Sequence, residues 1–172
     1  QNDTLSSGAM SFVQDMCRLS DGDFAERYES PAMQWGIEQE KNAVAAIALE
    51  LGCDIRFAGD EQKRLYAGNE YSDFISALTD AHGFIGDLIF TIEVKCLDTA
   101  NHDYMVQTVG DDVSILRHED FAKYSQVQTQ NLCAEEHYKK PVSSIIVFYD
   151  PRSELKKLHY IIVIDADDDS TI

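Results

Sequence analysis

Apolar residues recur at helical spacing through Ile37, Val44, Ile47 and Leu51, between Ser30-Pro31 and Gly52. Serine before proline marks a helix start, and glycine past the last periodic residue marks a stop, so the pattern predicts a long helix over 31–51. A shorter helix is expected over 8–19, followed by a polar loop at Asp21-Gly22-Asp23. Further along come a weak strand at Asp54–Ala58, a turn near Gly59-Asp60, and two β-rich runs, Asp73–Ile85 and Leu88–Cys96. A polar connection follows over 97–117, then a helix at 118–136 and strands at 142–149 and 159–164. Helices ahead of strand, strand, helix, strand, strand predict an α/β (α+β) domain with a mixed central sheet. No repeat or low-complexity linker interrupts it, so one domain over 1–172 is expected.

Gly86-Asp87 between the two β-rich runs suits a two-residue hairpin turn. If Ile85 then pairs with Leu88, the same count carried along the ladder sets Asp80 opposite Glu93. Side chains alternate, so Glu93 and Lys95 share a face with Asp80, while Leu88, Phe90, Ile92 and Val94 fill the other. Two carboxylates facing each other repel unless a cation joins them, and a divalent metal is the natural answer. On the 31–51 helix, Glu40 falls in the apolar stripe. An ordinary glutamate is solvated, but one on a core-facing line needs a metal ion or a lysine to offset desolvation. Glu38, about 200° round the helix, is expected in solvent.

The formal net charge of −17 lowers the expectation of a nucleic-acid partner, since phosphate binding ordinarily needs a basic patch. A local groove can nevertheless be positive. Part of the acid lies in the solvated tail Asp165-Ala166-Asp167-Asp168-Asp169. Cys17, Cys53, Cys96 and Cys133 lie far apart with no CxxC pair, which argues against a zinc or iron–sulfur site and fits reduced thiols in the cytoplasm. No apolar run reaches the ~20 residues of a bilayer span, and no signal peptide or glycine-rich phosphate loop is visible.

Asp80, Glu93 and Lys95 together resemble the PD-(D/E)xK nuclease site on a restriction-endonuclease-like core. There Asp and Glu hold Mg²⁺, a backbone carbonyl (here of Val94) adds a ligand, and Lys activates the attacking water. Five blocks in order resemble the phage lambda exonuclease, or YqaJ-type viral recombinase, family. They are Trp35-Gly36-Ile37-Glu38-Gln39-Glu40-Lys41-Asn42-Ala43, Ile92-Glu93-Val94-Lys95-Cys96, Gln126-Val127-Gln128, Tyr149-Asp150-Pro151-Arg152 and Leu158-His159-Tyr160. The resemblance implies an Mg²⁺-dependent exonuclease, with Mn²⁺ able to substitute, acting 5′-to-3′ on double-stranded DNA. Its 3′ overhangs would pass to a single-strand annealing protein. It further implies a homotrimeric ring, a phage, prophage or related viral origin, and cytoplasmic work without a membrane. By the same mapping Glu40 stands beside the metal, and Gln126 and Gln128 contact the catalytic water, the lysine or the DNA backbone.

The family's first acidic residue sits in S/T-P-D-G, whereas this chain reads Thr79-Asp80-Ala81-His82-Gly83. Aligning the glycines puts His82 in the metal position, and Asp87 in the turn is a further candidate. The order of preference is Asp80, Asp87, His82, with a hydrogen-bonded structural role the plainer expectation for His82. The family's basic N-terminal segment is expected to be missing before Gln1. An endonuclease on the same core and a non-catalytic acidic binding protein are the competing readings.

Overall fold

The computed structural model describes residues 30–68 and 75–163; the predicted 8–19 helix, the loop at 21–23 and the acidic tail lie outside them. Helix α1 (Pro31–Leu51) opens on its proline and ends as expected. Gly52 takes a left-handed φ of +62°, and the N–H of Cys53 reaches back to the Ala48 carbonyl, a Schellman closure. Only its second half covers the sheet: Ala43, Val44 and Ile47 are buried, whereas Ile37 is 63% exposed, contrary to its place in the predicted stripe.

Strand β1 (Asp54–Arg56) follows, then a 3₁₀ turn at Gly59–Glu61 and β2 (Arg64–Tyr66). The run expected over Asp73–Ile85 divides into β3 (Ser76–Leu78) and β4 (Ala81–Ile85), broken at Thr79-Asp80. Strand β5 (Leu88–Lys95) returns through the Gly86-Asp87 turn, with Ile85 opposite Leu88 and Gly86 at φ +57° as such a turn requires. The five-stranded sheet has the order β1-β4-β5-β6-β7, with β6 (Ser143–Tyr149) parallel to β5 and the other neighbours antiparallel. Strand β7 spans Leu158–Val163. Strands β2 and β3 form a separate two-stranded ribbon.

Parallel pairing of β5 and β6 demands a long crossover, and here it is helical. The expected polar connection at 97–117 instead holds α2 (Thr99–Tyr104), a π turn (Met105–Val109) and α3 (Val113–Glu119). Asp98 and Asp112 cap the two helices, and Met105, Val109 and Leu116 are buried at helical spacing. Helix α4 (Phe121–Tyr138) completes the crossover and is capped by Asp120. Because β5 is central, both its faces are covered. Ile92 and Val94 pack with Val44 and Ile47 of α1. Ile89 packs with Cys133 and Ala134 of α4 and with Leu65 and Ala77 of the ribbon. Leu88, expected in the core, is 62% exposed beside the turn.

Candidate active site

Strand alternation puts Glu93 and Lys95 on the face of β5 that α4 covers. Glu93 is only 4% exposed, so its carboxylate needs partners within the protein. Its Oε1 accepts from Lys95 Nζ and from Gln126 Nε2, each at 2.6 Å. Its Oε2 accepts from Gln130 Nε2, an amide that also donates to the Leu78 carbonyl at 3.2 Å. Lys95 Nζ in turn donates to Gln126 Oε1 at 3.1 Å, so lysine, glutamate and glutamine close a small ring.

Asp80 reaches this centre by a different route from the one expected. Ala81, not Asp80, is the last residue of the β4 ladder, opposite Ile92, and the N–H of Asp80 itself reaches the Ile92 carbonyl at 3.1 Å. This one-residue slip, like that of a β-bulge, takes Asp80 out of the position directly opposite Glu93. Its Oδ2 accepts the Val94 N–H at 2.7 Å beyond the end of β4, where that side of β5 has no strand partner. A strand residue points its N–H and C=O to the same side, so the Val94 carbonyl faces that open side too.

Glu40, from α1, completes the group. The Nε2 of Gln62 donates to Glu40 Oε1 at 3.3 Å and to Asp80 Oδ1 at 3.4 Å, holding the two carboxylates around one amide. Burial, then the charges of Glu93 and Glu40, hold the Asp80 carboxyl at about 7, against the opposing pull of the Val94 N–H and Lys95. Glu40 is raised by burial and by Glu93. Burial also pushes the Cys96 thiol up to about 12, helped by Glu40, Asp80 and Asp150, so it stays neutral.

Among the described residues, no set of three or more His, Cys, Asp or Glu side chains is gathered closely enough to cage an ion. The group nevertheless carries three carboxylates against the single ammonium of Lys95, and the raised Asp80 records that excess. Carboxylates and a backbone carbonyl at a strand edge are hard oxygen donors. They suit Mg²⁺, which takes one or two carboxylates and keeps several waters.

The other sequence candidates fall elsewhere. Asp87 is exposed at the far end of the hairpin, five ladder pairs from Asp80, or about 17 Å of strand. His82 is fully buried, with Nδ1 2.6 Å from the Tyr138 hydroxyl and its ring edge-on to Phe57, a structural placement. Gln128 lies about 200° round α4 from Gln126 and takes no part in the Glu93 hydrogen bonds. Glu38 is exposed.

Gln62 and Gln130 were not anticipated. One lies in an irregular segment, and the other is a polar helix residue that a sequence reader assigns to solvent. Spacing of four from Gln126 was the available signal for Gln130. Two of the family-like blocks also meet in space: the Arg152 guanidinium lies 3.9 Å from the Trp35 ring centroid and pairs with the buried Asp150. Although burial opposes it, hydrogen bonds from Arg152 and Thr99 hold Asp150 down at about 2.

No family model and no curated protein matches the sequence. Solved structures do match. Two of an alkaline exonuclease (LHK-Exo) from Laribacter hongkongensis, one in complex with dAMP, superpose with a TM-score of 0.66 at 22% identity, over 96% of this chain and 73% of that one. A phage-related exonuclease from Haemophilus somnus 129PT gives 0.60 at 14% identity, over 96% of this chain and 75% of that one. The chain therefore has the α/β fold of these exonucleases, a mixed sheet between helices.

Proposed function

We propose that the protein is a metal-dependent DNA exonuclease of the lambda exonuclease type, with Glu93, Lys95, Asp80 and Glu40 at its centre. The observation that carries this reading is the pair of buried Glu93 and half-buried Lys95 at the end of β5, with Asp80 bonded to the intervening Val94, on an exonuclease fold. A bound Mg²⁺ would neutralise charge on the scissile phosphate and lower the pKa of a bound water. Asp80, Glu93 and the Val94 carbonyl would hold it, with Glu40 beside them. Lys95 orients the attacking water and meets the charge that develops on phosphate as the ester oxygen leaves. Gln126 fixes Lys95, while Gln130 fixes Glu93.

The finer reading rests on the sequence resemblance: 5′-to-3′ action on duplex DNA, 3′ overhangs passed to an annealing protein, and a homotrimeric ring. Glu93→Gln and Lys95→Ala should each lower Mg²⁺-dependent degradation of linear duplex by roughly 100-fold or more. Circular and end-blocked DNA should resist the parent protein. Unaltered degradation by both variants would sink the nuclease reading, and rapid cutting of circles would replace exonuclease with endonuclease.

A further inference from the structure

The chain holds 14 Lys and Arg against 31 Asp and Glu, so the cations that could meet a polyanion are few. Five of the described cations have an acidic neighbour: Arg56 pairs with Asp54, Lys95 with Glu93, Lys123 with Asp120, Lys139 with Glu136 and Arg152 with Asp150. Lys63 and Arg64 lie outside this set. Lys63 Nζ lies 3.2 Å from His137 Nε2 and 5.4 Å from the Phe57 ring centroid. Arg64 donates to the Ser76 hydroxyl at 3.1 Å. Among the described residues neither has a carboxylate at ion-pair distance. Burial and Lys63 lower the His137 pKa, which keeps that neighbour neutral near pH 7.

Their position beside the carboxylate centre sets them apart. Gln62, the preceding residue, bridges Glu40 and Asp80. Arg64 and Tyr66 point outward from β2, across from the exposed Leu78 and Ser76 of β3, and Tyr66 is 53% exposed. Leu78 lies two residues before Asp80. The outer ribbon face thus begins at the carboxylate centre and leads away from it with two uncompensated cations and one free aromatic ring. A polyanion approaching a group of carboxylates in so acidic a chain needs such a path. Arg64 offers a planar fork suited to phosphate oxygens, and Tyr66 a surface on which a base can stack.

We propose that the outer face of the β2–β3 ribbon, with Lys63 at its edge and Arg64 and Tyr66 on it, carries the backbone of the DNA strand entering the carboxylate centre. The proposal rests on the nuclease reading and adds the substrate's path to it. It is tested by anisotropy titration of a fluorescent duplex with a short single-stranded end, over a range of salt concentrations, in a Glu93→Gln background. Adding Lys63→Gln and Arg64→Gln should weaken binding about tenfold. It should also make the log–log salt slope shallower by about 1.4–1.8, two phosphate contacts at ~0.7–0.9 each. Lys156→Gln with Lys157→Gln, cations on the segment before β7, should leave the slope unchanged. If the protein with Glu93 intact degrades DNA but the Lys63/Arg64 pair changes neither affinity nor slope, the path is wrong and the nuclease reading stands. If that protein degrades no DNA but the pair still lowers the slope, the nuclease reading fails and the ribbon remains a polyanion site.

Discussion

At the scale of single residues, the centre is defined by one carboxyl that is uncomfortable without a cation. Asp80 titrates near 7 in the folded protein, well above the ~3.9 of an unfolded aspartate. The folded chain therefore holds a proton that the unfolded chain releases between those values. The stability this contributes is full below pH ~4 and lost as pH rises through 7. Asp80→Asn keeps an oxygen for the Val94 N–H and removes the charge. At pH 8 it should raise the metal-free melting midpoint by ~2–8 °C, for about 1–2 kcal/mol, with no gain at pH 4. Mg²⁺ or Mn²⁺ should raise the midpoint of the parent at pH 8 and leave that of Asp80→Asn in place. Scanning fluorimetry reads both, and a midpoint lowered at pH 8 would contradict the account. Glu93 and Lys95 were legible because an acid and a lysine two apart on an apolar strand must face one side together. Asp80 was legible as a residue but not in its placement, since the turn count carries no sign of a slipped residue at the end of a ladder.

At the scale of elements, α4 decides how firmly the centre is held. Gln126 and Gln130 lie one turn apart and grip opposite oxygens of Glu93, while Gln128 faces elsewhere. Gln130→Leu leaves Glu93 Oε2 without its amide in a buried place, which should cost about 1–3 kcal/mol in urea unfolding. It should also raise the Mg²⁺ concentration needed for half-maximal activity. Gln126→Ala removes a more exposed group, so activity should fall while the unfolding midpoint moves little. A Gln130→Leu protein as stable and as active as the parent would show that the amide merely fills space. The hairpin, α1 and the two last strands could be read ahead because turn chemistry, capping and alternation all agreed there. The crossover could not: its buried Met105, Val109 and Leu116 are helical in spacing, but Gly110 and Asp112 break the run into pieces too short for periodicity to reveal.

For the molecule as a whole, charge and burial set the conditions it tolerates. His82 is held near 4, first by burial and then by His137 and Lys63, so the unfolded chain takes up its proton first on acidification. Stability present above pH ~6.5 should decline as pH falls to 4, by up to ~3 kcal/mol from this group alone. His82→Phe should flatten that part of the pH–stability curve, a result calorimetry can check. The α/β class and the mixed central sheet followed from the sequence pattern, whereas the separate β2–β3 ribbon and the Gln62 and Gln130 amides at the carboxylate centre did not. One consequence belongs to the hairpin tip. Gly86-Asp87 is exposed and stands at the opposite end of two paired strands from Asp80 and Lys95. It is thus a natural place to splice in an epitope or a surface tether, leaving the working end of the protein free while its motion along a substrate is followed one molecule at a time.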